Sequence, residues 1–179
     1  MGEEQGVAPR GALERYLASC RELVIEQIED LVGAGDDGPL RHLILDYPLR
    51  PAKGLRPALC IATCRALGGH LDAVAPSASV LELFHNAFLV HDDVEDGSEL
   101  RRGQPTLHRE HGVPVAINVG DAMFALSLQP LLDNTERIGL AAALEVLQVV
   151  ATMCRHSVEG QALELDWIRH QRWDLGEAD

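Results

Sequence analysis

Apolar residues recur along this 179-residue chain at the three- and four-residue spacing of helices, and no segment shows the alternation typical of a strand. The pattern predicts a series of amphipathic or buried helices, so the expected fold class is all-α. The expected helices cover residues 12–31, 40–46, 58–67, 74–96, 113–133 and 136–167. Residues 1–10 are expected to form a flexible tail, and residues 11–179 one helical domain.

Proline and glycine mark the expected interruptions. Residues 47–51 are expected to be extended or turned, because the residue before Pro48 is biased away from helical geometry. Pro57 suits the first turn of the next helix. Gly120 lies inside the predicted helix over 113–133, where a glycine usually marks the close approach of another helix.

One segment, residues 79–103, joins an apolar helix to a dense cluster of charge. Asp92 and Asp96 fall one turn apart on one helix face, and Asp93 lies about 100° round from Asp92. The helix dipole disfavours acidic groups at a C-terminus, and the apolar lead-in indicates an internal face. A divalent cation is the simplest way to offset the repulsion, and clustered oxygen ligands favour Mg²⁺ or Ca²⁺. The alternative is an acidic helix end that faces water.

Basic residues flank this segment on both sides. Arg101 and Arg102 follow the carboxylates and carry planar guanidinium groups suited to phosphate, although they could be ordinary surface arginines. Lys53 and Arg56 lie just before or at a predicted helix N-terminus, which favours anions; the alternative is a solvated basic turn. A cation site and an anion site within about three turns of chain suit a metal-bridged diphosphate.

Two further polar residues lie in apolar surroundings. His85 lies two turns before Asp92 on nearly the same face, and it is either a site residue or a hydrogen-bonded core histidine. Gln161 is either a core hydrogen-bonding residue or an amide that faces substrate. Glu164 and Asp166 are most simply a solvated helix face.

Composition excludes several classes of function. The formal net charge of −13 argues against a nucleic-acid partner and against an anionic membrane surface. The chain has no uninterrupted apolar run of about 20 residues, so no membrane span is expected. No signal peptide is visible, and the four cysteines show no zinc-type spacing. Reduced cysteines and a cytoplasmic location are expected.

Several motifs closely resemble the trans-isoprenyl diphosphate synthases (polyprenyl synthetases), and among these the geranylgeranyl diphosphate synthases. The motifs are Ala-Lys-Gly-Leu-Arg-Pro at 52–57, Glu-Leu-Phe-His-Asn-Ala-Phe-Leu-Val-His-Asp-Asp-Val-Glu-Asp at 82–96, Gly-Ser-Glu-Leu-Arg-Arg-Gly-Gln-Pro-Thr-Leu-His at 97–108, Gly-Asp at 120–121 and Gly-Gln at 160–161. The resemblance implies the N-terminal part of the isoprenoid synthase helical bundle, which surrounds a central cavity and is usually a homodimer. It also implies an Mg²⁺-dependent condensation of an allylic diphosphate with isopentenyl diphosphate.

The resemblance assigns the metal and the allylic diphosphate by position. It implies that Asp92, Asp93 and Asp96 hold Mg²⁺ and act in catalysis together with Arg101. Arg101 and Gln161 are implied to bind the allylic diphosphate. Such positively charged groups would neutralise the leaving diphosphate as its charge develops.

The resemblance also assigns the second substrate and the control of product length. The residues implied to bind isopentenyl diphosphate are Lys53, Arg56, His85 and Arg102. Ala87 and Phe88, one turn before the aspartates, are implied to limit the length of the growing prenyl chain. A dry apolar cavity would keep water from the allylic cation.

The resemblance covers only the N-terminal half of the family pattern. A second aspartate-rich motif follows the Gly-Gln segment in family members of roughly twice this length, and no such motif occurs here. The expected function is a prenyltransferase that works as part of a longer or paired enzyme. The alternative is a non-catalytic truncated homologue or partner subunit that binds Mg²⁺–diphosphate; a terpene cyclase is disfavoured by the isopentenyl site. Half a bundle is also expected to expose a large apolar face.

Overall fold

The computed structural model describes residues 10–33 and 38–172, and nearly all of them are helical. The helices are α1 (Arg10–Gly33), α2 (Pro39–Leu49), α3 (Leu55–Ala66), α4 (Leu71–Glu95), α5 (Leu107–His111), α6 (Val113–Asp133), α7 (Thr135–Ile138) and α8 (Leu140–His170). The predicted all-α class is confirmed. The predicted tail falls mostly on residues 1–9, which lie outside the described residues, and Arg10 is already part of α1.

A short antiparallel hairpin interrupts the helices between α4 and α5. Its strands are β1 (Leu100–Arg101) and β2 (Gln104–Pro105), with Arg101 opposite Gln104. The expectation that the chain has no strand is wrong at this point. Two-residue strands are too short for an alternating pattern to reveal them.

Helix α4 is the central element of the fold. It lies against α1, α3 and α6. Leu83, Ala87 and Val90 are almost completely buried in the larger apolar core, while Val80 belongs to a smaller core on the side of α8. The predicted burial of this helix is therefore confirmed, and its position fixes where the carboxylates after residue 90 emerge.

The end of α2 differs from the prediction, because residues 47–49 are helical rather than extended. The guanidinium group of Arg21 on α1 donates hydrogen bonds to the carbonyl oxygens of Pro48 at 3.0 Å, Leu49 at 3.3 Å and Arg50 at 3.1 Å. These bonds satisfy carbonyl groups that a helix C-terminus otherwise leaves unpaired. A contact from another helix thus overrides the local preference of the residue before a proline.

The start of α3 depends on a glycine. Gly54 has a φ of +62°, and a Cβ there would lie 2.9 Å from Cβ of Arg21. Only glycine fits both conditions without strain. Pro57 lies in the first turn of α3, as predicted, so Lys53 precedes the helix and Arg56 lies in its first turn.

A second glycine brings α6 close to α4. A Cβ on Gly120 would collide with the imidazole ring of His91, with only 2.7 Å to Cδ2. The His91 ring also lies 5.6 Å from the ring of Phe124. The prediction that Gly120 marks a close helix approach is confirmed.

The C-terminal helices are the least buried part of the fold. Helix α6 has the predicted bounds, but the single helix expected over 136–167 is divided at Gly139, where φ is +80°. In α8 only Ala143 and Val150 are buried. Large apolar side chains of α8 remain exposed: Leu140, Leu144, Val149, Val158, Leu163 and Ile168. Large apolar side chains are therefore exposed in the described part of the chain, while the expectation of one continuous apolar face stays a prediction.

Two segments, Leu71–Glu95 and Val113–Ile138, are long and apolar enough to cross a membrane when judged by length and hydropathy alone. Most of the first window, 67%, is buried inside the protein, which is the pattern of a core helix. In the second window the buried share is 33%. One or two such helices are a weak indication of a span, and the expected absence of a span stays a prediction.

Candidate functional site

A cavity of about 460 Å³ lies between α4 and α8. Its polar lining contains Arg56, His85, Asp92, His156 and Gln161. All of these except His156 were predicted as site residues from the sequence. The first and last of them, Arg56 and Gln161, lie more than 100 residues apart in the chain. The fold therefore brings a basic group, a carboxylate and an amide to one cavity.

The wall of this cavity on the side of α4 is aromatic. The ring centroids of Phe84 and Phe88 lie 5.3 Å and 5.1 Å from that of Phe124 on α6. Phe88 and Asp92 also line a neighbouring cavity of about 300 Å³, together with Phe124 and Leu165. Phe88 thus lines both cavities, and its predicted role in limiting chain length stays a prediction.

Ala87 occupies a different environment from its neighbour Phe88. It is completely buried in the larger core, and it is not among the residues that line either described cavity. One residue along a helix turns the side chain by about 100°, which takes Ala87 off the face that Phe88 presents. The position of Phe84, one turn before Phe88, is the one that continues the aromatic wall.

His85 is held as a neutral hydrogen-bond acceptor. Nη1 of Arg56 lies 3.1 Å from Nε2 of His85, and because a guanidinium group can only donate, Nε2 must accept. Burial, and then the positive charges of Arg56, Arg102 and Arg101, lower the pKa of His85 to about 4. The remaining ring nitrogen, Nδ1, then carries the proton and can donate to an anion.

We expect NMR titration to give a midpoint near 4 for the imidazole of His85. Since this pKa lies below the value of about 6.5 in the unfolded chain, the unfolded state binds the extra proton first. The contribution of His85 to stability is therefore complete above about pH 6.5 and is lost as the pH falls towards 4. The variant Arg56→Ala should move the midpoint upwards, and a wild-type midpoint above 6 would contradict this placement.

Asp92, which is half-buried, and Asp96, which is exposed, form the carboxylate pair of the site. Burial, and then the charges of Glu95, Asp96 and Asp93, raise the pKa of Asp92, while Arg101 opposes the shift. Among the described residues none donates a hydrogen bond to the side chain of Asp92 or of exposed Asp96. Two unneutralised carboxylates one turn apart fit a hard divalent cation, because its charge would relieve their repulsion.

Asp93 lies on another face of the helix and is completely buried. The hydroxyl of Tyr47 donates to its Oδ2 at 2.5 Å, and Nε of Arg101 donates to its Oδ1 at 3.0 Å. Nη2 of Arg101 forms a further ion pair with Oδ1. Both oxygens are thus engaged by the protein, and within the described ranges no three histidine, cysteine or acidic residues form a group that could hold a metal. The metal-binding role of Asp93 stays a prediction, and its contacts are those of an anchor for Arg101.

Arg101 and Arg102 are mounted on the hairpin next to the end of α2. Nη1 of Arg50 donates to the carbonyl oxygen of Arg101 at 2.9 Å, and Nη1 of Arg102 donates to that of Tyr47 at 3.3 Å. Both arginine charges bear on the pKa of His85. The hairpin therefore adds two guanidinium groups to the basic side of the site.

Lys53 is a predicted site residue that lies beside a different cavity. It is exposed and lines a separate cavity beside α1, with Leu17, Arg21 and Glu22. The predicted role of Lys53 in binding isopentenyl diphosphate stays a prediction. Arg56, one turn further along, is the member of that motif that reaches the cavity of His85.

Sequence reasoning missed three residues of the site. Tyr47 and Arg50 were assigned to an extended connector, and His156 was not considered. A signal was available for Tyr47, because it lies three residues after Ile44 and continues the apolar helical spacing. Arg50 is charged and carried no such signal. His156 carries no comparable signal, since it lies in an exposed stretch of α8.

Comparisons with known proteins find relatives by sequence and by structure. A sequence profile of the polyprenyl synthetase family matches residues 39–178. The chain is 32% identical to a short chain isoprenyl diphosphate synthase of Methanothermobacter thermautotrophicus, over 93% of this chain and 49% of that protein. It is 34% identical to the heterodimeric geranylgeranyl pyrophosphate synthase large subunit 2 of Arabidopsis thaliana, over 84% of this chain and 40% of that protein.

Solved structures give the same result. The geranylgeranyl pyrophosphate synthetase of Pyrococcus horikoshii superposes with a TM-score of 0.80 at 33% identity, over 87% of this chain and 48% of that one. The geranyltransferase of Legionella pneumophila superposes with a TM-score of 0.83 at 27% identity, over 94% of this chain and 60% of that one. The chain spans about half the length of the curated relatives it matches. The family match covers most of its residues, and the chain therefore belongs to the polyprenyl synthetase family.

Proposed function

We propose that this chain contributes to a Mg²⁺-dependent trans-prenyltransferase that condenses an allylic prenyl diphosphate with isopentenyl diphosphate. One observation carries the proposal: a cavity that is aromatic on one wall and lined by Arg56, His85 and Asp92 at its polar side. The apolar part suits a prenyl chain, and the charged part suits diphosphate with its cation. Relatives named as isoprenyl and geranylgeranyl diphosphate synthases support the same reaction class.

In the proposed reaction the allylic C–O bond breaks and its electron pair leaves with the diphosphate. The double bond of isopentenyl diphosphate then attacks the allylic carbon, and a proton is lost to restore a double bond. Bound Mg²⁺ would supply positive charge to the diphosphate, with Asp92 and Asp96 as its ligands in this chain.

The chain's own residues supply orientation and charge. Arg101 and Arg102 present guanidinium groups that are already fixed before a ligand arrives, so little reorganisation opposes charge development. Arg56 and neutral His85 offer donors to the second diphosphate. Phe84 and Phe88 exclude water from the apolar part of the cavity.

A second candidate function is a non-catalytic subunit that pairs with another synthase chain, or with a second copy of itself. The exposed apolar side chains of α8 favour pairing, because apolar surface left in water is typical of an interaction site. A similar protein is itself named as the large subunit of a heterodimeric synthase.

The two candidates are separated by an assay of prenyl transfer. The purified chain is incubated with Mg²⁺, dimethylallyl diphosphate and labelled isopentenyl diphosphate, and labelled prenyl product is extracted. Product that requires Mg²⁺ is the expected result for the enzyme. If no product forms at high protein concentration while calorimetry still detects binding of Mg²⁺–diphosphate, the non-catalytic subunit is the better description.

A further inference from the structure

The last turn of α2 holds both the backbone and the side chain of Arg101. The guanidinium group of Arg50 bonds the carbonyl oxygen of Arg101 at 2.9 Å and that of Pro105 at 2.7 Å. Arg50 directly follows α2, and three residues earlier, within α2, the hydroxyl of Tyr47 bonds Asp93, which in turn binds the guanidinium group of Arg101. These contacts thus fix the backbone of Arg101 and the position of its guanidinium group.

The hydroxyl of Tyr47 is fully committed to this arrangement. It donates to Oδ2 of Asp93 at 2.5 Å and accepts from the backbone N–H of Leu107 at 3.5 Å. Tyr47 is 1% exposed and Asp93 is 0% exposed, so water cannot replace either partner. Burial and the neighbouring carboxylate of Asp93 raise the pKa of Tyr47, so the phenol keeps its proton at all ordinary pH values.

The direction of these bonds determines what Arg101 can do. Tyr47 holds Oδ2 of Asp93, Nη2 of Arg101 binds Oδ1, and Nε of Arg101 donates to both oxygens, at 3.0 Å and 3.2 Å. The carboxylate is therefore held in one orientation. The Arg101 side chain remains 29% exposed, and its hydrogen bonds to Asp93 come from Nε and Nη2 and not from Nη1. The guanidinium group is therefore aimed by one edge and left free to bind an anion with the other.

We propose that Tyr47 is a positioning residue whose hydroxyl, acting through Asp93, aims the guanidinium group of Arg101 at the diphosphate. Tyr47 does not touch the ligand. It orders the anion site in advance, so binding does not have to fix a flexible arginine. The effect on diphosphate binding rests on the proposed function, whereas the ordering of Arg101 does not.

Tyr47→Phe tests the proposal with the smallest possible change. It removes the hydroxyl and keeps the ring, whose centroid lies 4.4 Å from Cζ of Arg50. Tyr16→Phe is the matched control, because Tyr16 is a half-buried tyrosine on α1 that takes no part in the site. Circular dichroism melts establish that each variant is folded.

The first measurement needs no ligand. The NMR signal of the Arg101 Nε–Hε group, assigned by its loss in Arg101→Lys, is followed by hydrogen exchange. Exchange should be about tenfold faster or more in Tyr47→Phe, because a buried charge-assisted hydrogen bond has lost its support, and unchanged in Tyr16→Phe. Asp93→Asn should accelerate the same proton, which gives a second variant if the first does not fold.

The second measurement is calorimetric binding of inorganic diphosphate with Mg²⁺. Tyr47→Phe should weaken binding about five- to tenfold in the wild-type background and less than twofold in the Arg101→Lys background. Equal losses in both backgrounds, or exchange of Arg101 Hε within twofold of wild type, would overturn the proposal. If the wild-type chain binds no diphosphate but Arg101 exchange still depends on Tyr47, the positioning role stands and the proposed function fails.

Discussion

Replacing Arg50 with alanine is expected to lower the free energy of unfolding by about 3–5 kcal/mol. Arg50 is only 3% exposed, yet it carries a full positive charge into the interface between α2 and the hairpin. Such a group is tolerated because every side of it is paired. The effect is large because removing Arg50 would leave its hydrogen-bond acceptors without a donor.

The partners of Arg50 would lose their hydrogen bonds and regain water only in part. Nη2 of Arg50 lies 2.6 Å from Oδ2 of Asp46 and 2.7 Å from the carbonyl oxygen of Pro105. The side chain of Asp46 is 30% exposed and recovers some solvation, but the hairpin carbonyls depend on the guanidinium group. A fully buried acceptor left unpaired costs about 1–3 kcal/mol. The carbonyl acceptors of Arg50 are part-buried, so each contributes less than that, but several are affected at once.

Urea unfolding followed by circular dichroism measures this loss. Arg155→Ala is the matched control, because Arg155 forms an exposed pair with Glu159 on α8 at 2.8 Å. Removing that pair should change the free energy of unfolding by less than about 0.5 kcal/mol. Arg50→Lys should fall between the two, since one ammonium group cannot reach all the acceptors of a planar guanidinium. A loss below about 1 kcal/mol in Arg50→Ala would contradict the role given to this residue.

The sequence predicted the elements whose identity depends on local periodicity. Helices α4 and α6 have long apolar runs with helical spacing, and both were located to within a few residues. Asp92, His85 and Arg56 were also predicted as site residues, because each lies at a helix position whose chemistry is readable from its neighbours. The fold brings these three side chains to one cavity, and their roles stay predictions.

The parts that could not be predicted depend on contacts between distant residues. The last turn of α2 is helical because Arg21, 27 residues before Pro48, binds its carbonyl oxygens. The different environments of Asp92 and Asp93 follow from the same cause. Spacing predicts that they face different directions, but only the fold determines that Asp93 meets Tyr47, which lies 46 residues earlier.

Asp92→Asn is expected to have opposite effects on stability and on ligand binding. The pKa of Asp92 is raised, so the folded protein binds its proton more tightly than the unfolded chain does. The protonated form therefore favours folding at low pH, and this contribution is lost as the pH rises through the raised pKa. At neutral pH the charge of Asp92 opposes folding, and its removal should raise the Tm of the metal-free protein by on the order of 1 °C, because exposure screens the effect.

The same variant should bind Mg²⁺–diphosphate roughly 100-fold more weakly, since even outer partners of metal ligands are worth 10–100-fold in affinity. Differential scanning fluorimetry with and without Mg²⁺ and diphosphate measures both effects on one sample. Wild type should gain Tm on adding the ligand, whereas Asp92→Asn should begin higher and gain almost nothing. Glu164→Gln, an exposed carboxylate on α8, should change neither value.

A charge that destabilises the free protein and is needed for binding is the mark of a residue placed for a ligand. A carboxylate that only stabilised the fold would have a lowered pKa, as expected for a group beside compensating partners. Asp92 has the opposite shift although Arg101 lies near enough to oppose it, because burial and three acidic neighbours outweigh one cation. If Asp92→Asn lowered the Tm of the metal-free protein and left diphosphate binding intact, Asp92 would be a structural residue. The proposal that Asp92 and Asp96 bind the metal would then be wrong.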